Sequence, residues 1–355
     1  MQINMISTAV FPGSMHSTSQ IIDRNLHRRA HCDTGMWINP EKDAGWCKAV
    51  NSCTSLKLFC QEYGAFIFHQ RAGADVRFAA FPGEKKEVYD WIILNLPRQK
   101  ALLRMLLDCA AGWLADDGVL WLAGENKAGI KSADKILRTC FADVNKLDNA
   151  RHCTLYQAKS PLQRHAFSHL TYQQKWLLNY SGGEIRVASY PGVFAHGRLD
   201  DGTALLLDTL AGMSFSGDIL DFGCGAGVIG VCIAASNKDA RVTFLDSSAL
   251  ALKACEETLA ANQLSGSALA SDGLSELRHS YDLVISNPPI HAGVKTDTSL
   301  SLRLLETVHQ HIKPGGRLIL VANRHLPYEN WLSKNFRPVN ELAANRNFKV
   351  IAAEK

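Results

Sequence analysis

Two stretches of this chain repeat each other, and that repetition limits the fold more than any other feature. Tyr89-Asp90-Trp91-Ile92-Ile93-Leu94-Asn95-Leu96-Pro97 is an apolar run that opens on Tyr-Asp and closes on Asn-x-Pro. Tyr281-Asp282-Leu283-Val284-Ile285-Ser286-Asn287-Pro288-Pro289 does the same 192 positions later. Each reads as a buried strand ended by a proline turn. The spacing of Leu102, Leu103, Leu106, Leu107, Ala110 and Trp113 predicts a helix after the first, and a second helix is expected around residues 300–311. Asp116-Asp117-Gly118 and Lys313-Pro314-Gly315-Gly316 stop them, and strands follow at 119–123 and 317–321. The parallel reaches the ends of both units, where residues 150–156 match 345–351. Strand, turn, helix and closing strand in one order imply an internal duplication of an α/β unit.

The copies differ where a ligand would sit. Ile219-Leu220-Asp221-Phe222-Gly223-Cys224-Gly225-Ala226-Gly227-Val228 places three glycines at alternate positions between a strand and a helix expected at 228–235. Glycines allow positive φ and close approach, and the helix N-terminus offers free N–H groups. Alone, this is equally a nucleotide-type loop or a glycine-rich turn. The next strand, Arg241-Val242-Thr243-Phe244-Leu245-Asp246, ends in an acid 25 positions beyond Asp221, where doubly wound sheets bind ribose hydroxyls. A cap on the helix beginning near Ser247 is the other reading. Ala270-Ser271-Asp272-Gly273 ends another short strand, at a place suited to an adenine amino group. In Asn287-Pro288-Pro289-Ile290 two prolines remove donors, so the turn offers acceptors. The first copy has Asn95-Leu96-Pro97-Arg98 instead and no glycine loop, which suits a scaffold or docking domain.

At 355 residues, 46% apolar and 20% charged, the chain suits a globular protein of two domains. No apolar run approaches 18 residues and residues 1–20 lack a signal-peptide pattern, so a cytoplasmic protein is expected. Ten cysteines occur without a C-x-x-C pair; Cys109, Cys140, Cys224, Cys232 and Cys255 lie in apolar segments, as reduced buried thiols do, and zinc is not expected. The net charge of +4 comes from residues 1–160, with 20 basic against 16 acidic residues; residues 161–355 balance at 18 each. That excess is compatible with an acidic polymer but too mild to require one. Residues 1–60 read as largely polar, and Arg24, His27, Arg28, Arg29 and His31 as a solvated helix face. Residues 65–68 and 76–81 read as short strands. Residues 160–183, with His165, His169, Tyr172, Trp176 and Tyr180, show no clear period and read as a linker able to pack as a short helix, with a strand at 184–188 and a helix at 203–210 after it.

The motif Asp221-Phe222-Gly223-Cys224-Gly225-Ala226-Gly227, with Asp246 and Asn287-Pro288-Pro289, resembles the cofactor and acceptor motifs of S-adenosylmethionine-dependent amino-methyltransferases. The closer similarity is to the small-subunit ribosomal RNA guanine-N2 methyltransferases, which also pair a cofactor-less copy with a cofactor-binding one. It rests on Gly124-Glu125-Asn126-Lys127-Ala128-Gly129-Ile130-Lys131-Ser132, Pro191-Gly192-Val193-Phe194 and Val321-Ala322-Asn323-Arg324-His325-Leu326-Pro327-Tyr328, and covers residues 65–355. It implies two tandem Rossmann-like class I methyltransferase domains: a cofactor-less domain at 1–160, a linker at 161–185 and a catalytic domain at 186–355. It implies S-adenosylmethionine held by Asp221, Gly223, Cys224, Gly225, Gly227, Asp246, Ser247, Asp272, Gly273 and Asn287, with Asn287, Pro288, Pro289 and Ile290 as the catalytic turn. Phe194, His291, Lys127 and Lys131 are then candidate substrate contacts, with the Arg24–Arg29 cluster a further candidate for phosphates; 16S ribosomal RNA, in the small subunit or an assembly intermediate, is the expected partner, without metal or membrane. In that family the residue after the two prolines is aromatic and stacks on the target base, whereas Ile290 stands here, which points to Phe194 as the replacement ring. A large-subunit RNA methyltransferase, a protein glutamine-N5 methyltransferase and a non-catalytic RNA-binding assembly factor remain the alternatives.

Overall fold

The computed structural model describes residues 14–82, 87–164, 166–288 and 305–355, and the chain divides into two units, Met1–Tyr172 and Gln173–Lys355. The first runs α1 (Ser17–Asn25), β1 (Cys32–Ile38), α2 (Gly45–Ala49), β2 (Cys53–Cys60), α3 (Tyr63–Arg71), β3 (Val76–Phe78), β4 (Tyr89–Asn95), α4 (Lys100–Trp113), β5 (Leu114–Glu125), α5 (Ile130–Leu137), β6 (Phe141–Ala150) and β7 (Cys153–Pro161). Its sheet has the order β3-β2-β1-β4-β5-β7-β6. The strands are parallel up to β5, and β7 returns antiparallel between β5 and β6.

The second unit opens with an antiparallel hairpin of β8 (Gln174–Tyr180) and β9 (Gly183–Ser189). It continues α6 (Asp201–Leu210), β10 (Gly217–Phe222), α7 (Val228–Ser236), β11 (Ala240–Asp246), α8 (Ala249–Ala261), β12 (Ser267–Ala270), β13 (Tyr281–Ser286), β14 (Ile312–Asn323), α9 (Tyr328–Leu332), β15 (Val339–Ala344) and β16 (Phe348–Glu354). The order β12-β11-β10-β13-β14-β16-β15 reproduces the first sheet strand for strand. One topology, built twice, is what the repeated sequence implied.

The repeated Tyr-Asp pair has the same physical job in both units. Asp90 Oδ2 accepts the backbone N–H groups of Asp33 (3.1 Å) and Thr34 (2.9 Å) at the start of β1. Asp282 Oδ2 accepts the N–H of Asp218 at the start of β10 (2.7 Å) and also binds Lys313 Nζ (2.8 Å). Each carboxylate satisfies the donors of the neighbouring strand before its ladder begins, and the lysine holds the Asp282 carboxyl below the usual carboxylate range. The far ends also match: β5 pairs Glu125 with Cys153, and β14 pairs Asn323 with Phe348.

Strands β4 and β13 are apolar on both faces because helices cover both sides of the sheet. In β4, Trp91 and Ile93 pack with Ile21, Ile22 and Trp121 on one side, and Ile92 and Leu94 pack with Leu103, Leu106 and Leu107 of α4 on the other. Trp91 meets Trp121 edge-on, with ring centroids 5.0 Å apart. In the second unit Leu220, Val284, Leu318 and Leu320 form the equivalent core with Val308, Tyr328 and Leu332.

Three local readings are corrected. Residues 1–60 contain the interior strand β1 and its neighbour β2. Gly35 hid β1 by breaking its apolar run, and the glycine is there because a Cβ would lie 3.0 Å from Cys53 Sγ on β2. Residues 65–68 lie in α3, not a strand: Tyr63 and Phe66, one helical turn apart, pack together and against Phe78. Residues 160–183 hold a short turn at His169–Tyr172 and then β8, with His165 outside the described residues. The helix expected around 300–311 is described only from residue 305, as a helical turn leading into a 3-10 turn at Val308–His311. All ten cysteines are free thiols, and the five singled out above are buried. Among the described residues no helix is long and apolar enough to cross a membrane, and no three His, Cys, Asp or Glu side chains converge as metal ligands would.

Candidate active site

The carboxyl ends of β12, β11, β10 and β13 stand side by side. Register pairs Phe222 with Leu245 and with Ser286, and Asp246 with Ala270. Neighbouring strands lie about 4.8 Å apart, so the glycine loop, Asp246, Ser271 to Gly273 and Asn287 share one edge of the sheet. The loop turns through three left-handed glycines, Gly223 (φ 69°), Gly225 (φ 55°) and Gly227 (φ 79°), before α7 begins at Val228.

Two carboxyls shape the loop. Asp221 is fully buried at the end of β10; its Oδ2 accepts the N–H of Gly230 in α7 (2.9 Å), and its Oδ1 has no partner among the described residues. Burial pushes this carboxyl up to about 7, against the pull of the Gly230 N–H and with the Asp246 carboxylate adding to the rise. Asp246 accepts the N–H of Gly225 on Oδ2 and that of Ser248 on Oδ1, both at 2.9 Å, so it braces the loop and turns the chain into α8 at once. Its carboxyl is also raised, first by burial. Ser247 follows it, and Asp272 stands exposed beside Gly273, whose φ is 65°.

A raised acid in the folded state means that the native protein holds its proton more tightly than the unfolded chain. Stability contributed by Asp221 is therefore complete below about pH 4 and lost as pH rises through about 7. Asp221→Asn keeps an acceptor for Gly230 without the ionisation. Its melting temperature relative to wild type is expected to climb between those pH values and level off above them, as calorimetry at pH 4 to 8 will measure.

Asn287 follows β13, half-buried. Its Nδ2 donates to Asp200 Oδ2 (3.0 Å) and to Thr203 Oγ1 (2.8 Å). Asp200 caps α6, accepting the N–H groups of Gly202 (2.9 Å) and Thr203 (3.1 Å) on the same Oδ2. Asn287, Asp200 and Thr203 line one pocket with Phe194, Trp176 and the glycine loop. Phe194 is 53% exposed there, so its ring is available to a ligand. Pro288 is buried; Pro289, Ile290 and His291 lie outside the described residues. The roles of Asp200 and Thr203 were not read from the sequence. The run Asp200-Asp201-Gly202-Thr203 signals a helix cap, but the second use of that cap, across to β13, depends on tertiary placement.

The first unit treats the same position differently. Asn95, on the strand equivalent to β13, is buried, and its Oδ1 accepts the indole N–H of Trp37 (2.9 Å), while Nδ2 faces Glu41 Oε1 (3.4 Å).

Residues 184–352 match the family model described as methyltransferase small domain, and residues 19–180 match the one described as methyltransferase small domain N-terminal. The ribosomal RNA small subunit methyltransferase C of Shewanella amazonensis is 34% identical over 96% of this chain and 99% of its own length. That of Shewanella loihica is 39% identical over the same shares. The chain belongs to the ribosomal RNA small subunit methyltransferase C family. A solved structure similar to this chain is the T. thermophilus 16S rRNA N2 methyltransferase RsmC, in complex with AdoMet and guanosine. It covers 97% of this chain and 93% of that one, at a TM-score of 0.83 and 22% identity, and so shares the two-unit methyltransferase C fold.

Within this family member, the three arginines of the first unit's basic cluster are already engaged. Arg24 binds Asp148 (2.9 Å), Arg28 donates to the Leu147 carbonyl (3.2 Å) and Arg29 to the Asp90 carbonyl (3.1 Å). Lys127 is 83% exposed and lies 3.3 Å from Glu125, and Lys131 is exposed on α5.

Proposed function

We propose that this protein transfers the methyl group of S-adenosylmethionine to the N2 amino group of a guanine in 16S ribosomal RNA. The observation that carries the reading is Asn287, whose amide nitrogen is tied back to α6 in the pocket that the glycine loop lines. The donor set fits the cofactor. A Cβ at Gly225 would have nothing within 4 Å, so the loop leaves open space beside a carboxylate and a helix N-terminus. Asp221 to Gly227, Asp246 and Ser247 would hold the nucleoside and amino-acid parts, with Asp272 and Gly273 at the adenine end. Once bound, S-adenosylmethionine supplies an electrophilic methyl group on a sulfonium.

The remaining chemistry belongs to the acceptor turn. A guanine amino group is a weak nucleophile because its lone pair is delocalised into the ring. Asn287 Oδ1 and the Pro288 carbonyl accept its two hydrogens, which favours a pyramidal nitrogen with its lone pair aimed at the methyl. No strong base is needed: positioning and preorganised dipoles lower the barrier, and the proton leaves to solvent. The base has to be unpaired or flipped to enter the pocket. Pro289 and Ile290 are further candidates for catalysis and His291 for substrate contact, Lys127 and Lys131 are candidates for phosphate contact, and the reaction belongs to the cytoplasm, on a small subunit or an assembly intermediate. The named relatives act on small-subunit RNA, which favours that substrate over large-subunit RNA or a protein amide.

The deciding experiment is mass-spectrometric mapping of methylguanines in 16S RNA from cells lacking the protein, with and without the gene restored. One N2-methylguanine should disappear and return; an unchanged map refutes the proposal. Phe194 supplies the stacking face that Ile290 lacks. Base stacking on an aromatic ring is worth about 1–3 kcal/mol, so Phe194→Ala should lower kcat/KM on small subunits by about tenfold or more; unchanged turnover removes Phe194 from the site.

A further inference from the structure

Asparagine has one donor face and one acceptor face, and only the acceptor face suits an amino group. The two differ by a half-turn of the carboxamide. What sets that half-turn is visible in the contacts. Asp200 Oδ2 can only accept, and it stands 3.0 Å from one end of the Asn287 carboxamide, so that end must be the nitrogen. Thr203 Oγ1, at 2.8 Å, takes the other N–H. With both amide hydrogens spent on α6, Oδ1 on the opposite side of the planar group accepts from no other described residue.

The first unit provides an internal control. Asn95 stands at the matching strand end, but there Trp37 donates an indole N–H to Oδ1. Its acceptor is used up inside the fold. The same residue at the same place is thus set one way or the other by what the neighbouring elements offer: an indole donor in one copy, a capping carboxylate and a hydroxyl in the other.

We infer that Asp200 and Thr203 are positioning residues, which lock the Asn287 carboxamide with its oxygen toward the target amino group while Asp200 also caps α6. The inference rests on the reading of Asn287 as the amino-group acceptor. Without the lock the carboxamide would rotate freely, and half of its orientations would set N–H against N–H.

The test replaces each partner by a group that keeps the fold. Asp200→Ser retains a capping oxygen but is too short to reach Asn287; Thr203→Val keeps the shape and the backbone N–H that Asp200 caps. On small subunits from cells lacking the protein, the double variant is expected to lose about 10- to 100-fold in kcat. KM for the subunits and the S-adenosylmethionine Kd by calorimetry should stay within about threefold, because the lock touches neither binding step. The conservative pair, Asp200→Asn with Thr203→Ser, keeps one acceptor at each place, because the N–H groups of residues 202 and 203 turn the new amide oxygen to the position of Asp200 Oδ2, and should keep wild-type kcat within about threefold. Should the double variant not fold, Thr203→Val alone carries the test, with a kcat loss of about five- to tenfold. Wild-type kcat in the disrupting variants, equal losses in both pairs, or a loss confined to cofactor Kd each overturns the inference. Asn287→Ala measured alongside separates the two levels: if it is inactive while the lock variants are active, only the lock falls; if it is active, the acceptor role falls with it.

Discussion

Asn287→Ala should reduce turnover by about 10²- to 10³-fold, the range found when one preorganised polar group is removed from a reacting centre. S-adenosylmethionine affinity should fall by far less than turnover, since the glycine loop and Asp246 that form most of its proposed cradle are untouched. Alanine removes the oxygen that meets the amino hydrogens and leaves Asp200 and Thr203 to pair with water. The backbone carbonyl of Pro288 would remain, so a residual rate is expected rather than none. Single-turnover measurement with saturating labelled cofactor separates the two quantities. A wild-type single-turnover rate would mean that the amino group is activated elsewhere, and equal losses in rate and cofactor affinity would make Asn287 a binding residue only.

What could be read from the sequence was set by how local each signal is. Strands β4 and β13 were visible because both their faces are covered, giving an unbroken apolar run between Tyr-Asp and Asn-x-Pro. The glycine loop was visible because three left-handed turns at alternate positions leave a mark that no side chain hides. Strand β1 carries no such mark, although it is an interior strand of its sheet: Gly35 and the polar stretch Cys32-Asp33-Thr34 are dictated by Cys53 on the next strand and by the Asp90 carboxylate, neither local to it. Helix α3 reads as a strand in the sequence because Ala65-Phe66-Ile67-Phe68 is apolar in either form and the packing of Tyr63 on Phe78 decides it. Asp200 and Thr203 leave no local mark of their second role for the same reason, being 87 and 84 positions from the asparagine they hold.

The two units also differ in a way that the loop alone does not explain. Loss of the glycines would remove a ligand, but it would leave Asn95 free to accept. Trp37 on β1 closes that acceptor, and Trp37 is itself part of the core beneath α1 and α2. The first unit thus uses a strand-end polar group as a packing element. In the second unit the same strand position has been kept out of the core by a helix cap.

Gly225→Ala offers the second large effect, because it separates the cost to folding from the cost to binding. A Cβ at Gly225 would meet nothing within 4 Å, so the only penalty in the ligand-free protein is the left-handed backbone at φ 55°, about 1–2 kcal/mol. The added methyl would, however, occupy the open space beside the Asp246 carboxylate and the start of α7. Closing that space should weaken S-adenosylmethionine binding by about 100-fold, comparable to forcing one methyl group or more into a filled site. Gly227→Ala is the contrast: its φ is 79° and its Cβ would lie 2.7 Å from Cys255 Sγ on α8, so about 2–5 kcal/mol of stability should be lost whether or not ligand is present. Adding Cys255→Ala should restore the packing part of that loss and leave the backbone part. Thermal melts with and without S-adenosylmethionine read both quantities. If Gly225→Ala loses only that backbone cost when alone yet gains no stability from the cofactor, the loop is the cradle; if it gains as much as wild type, the cofactor lies elsewhere.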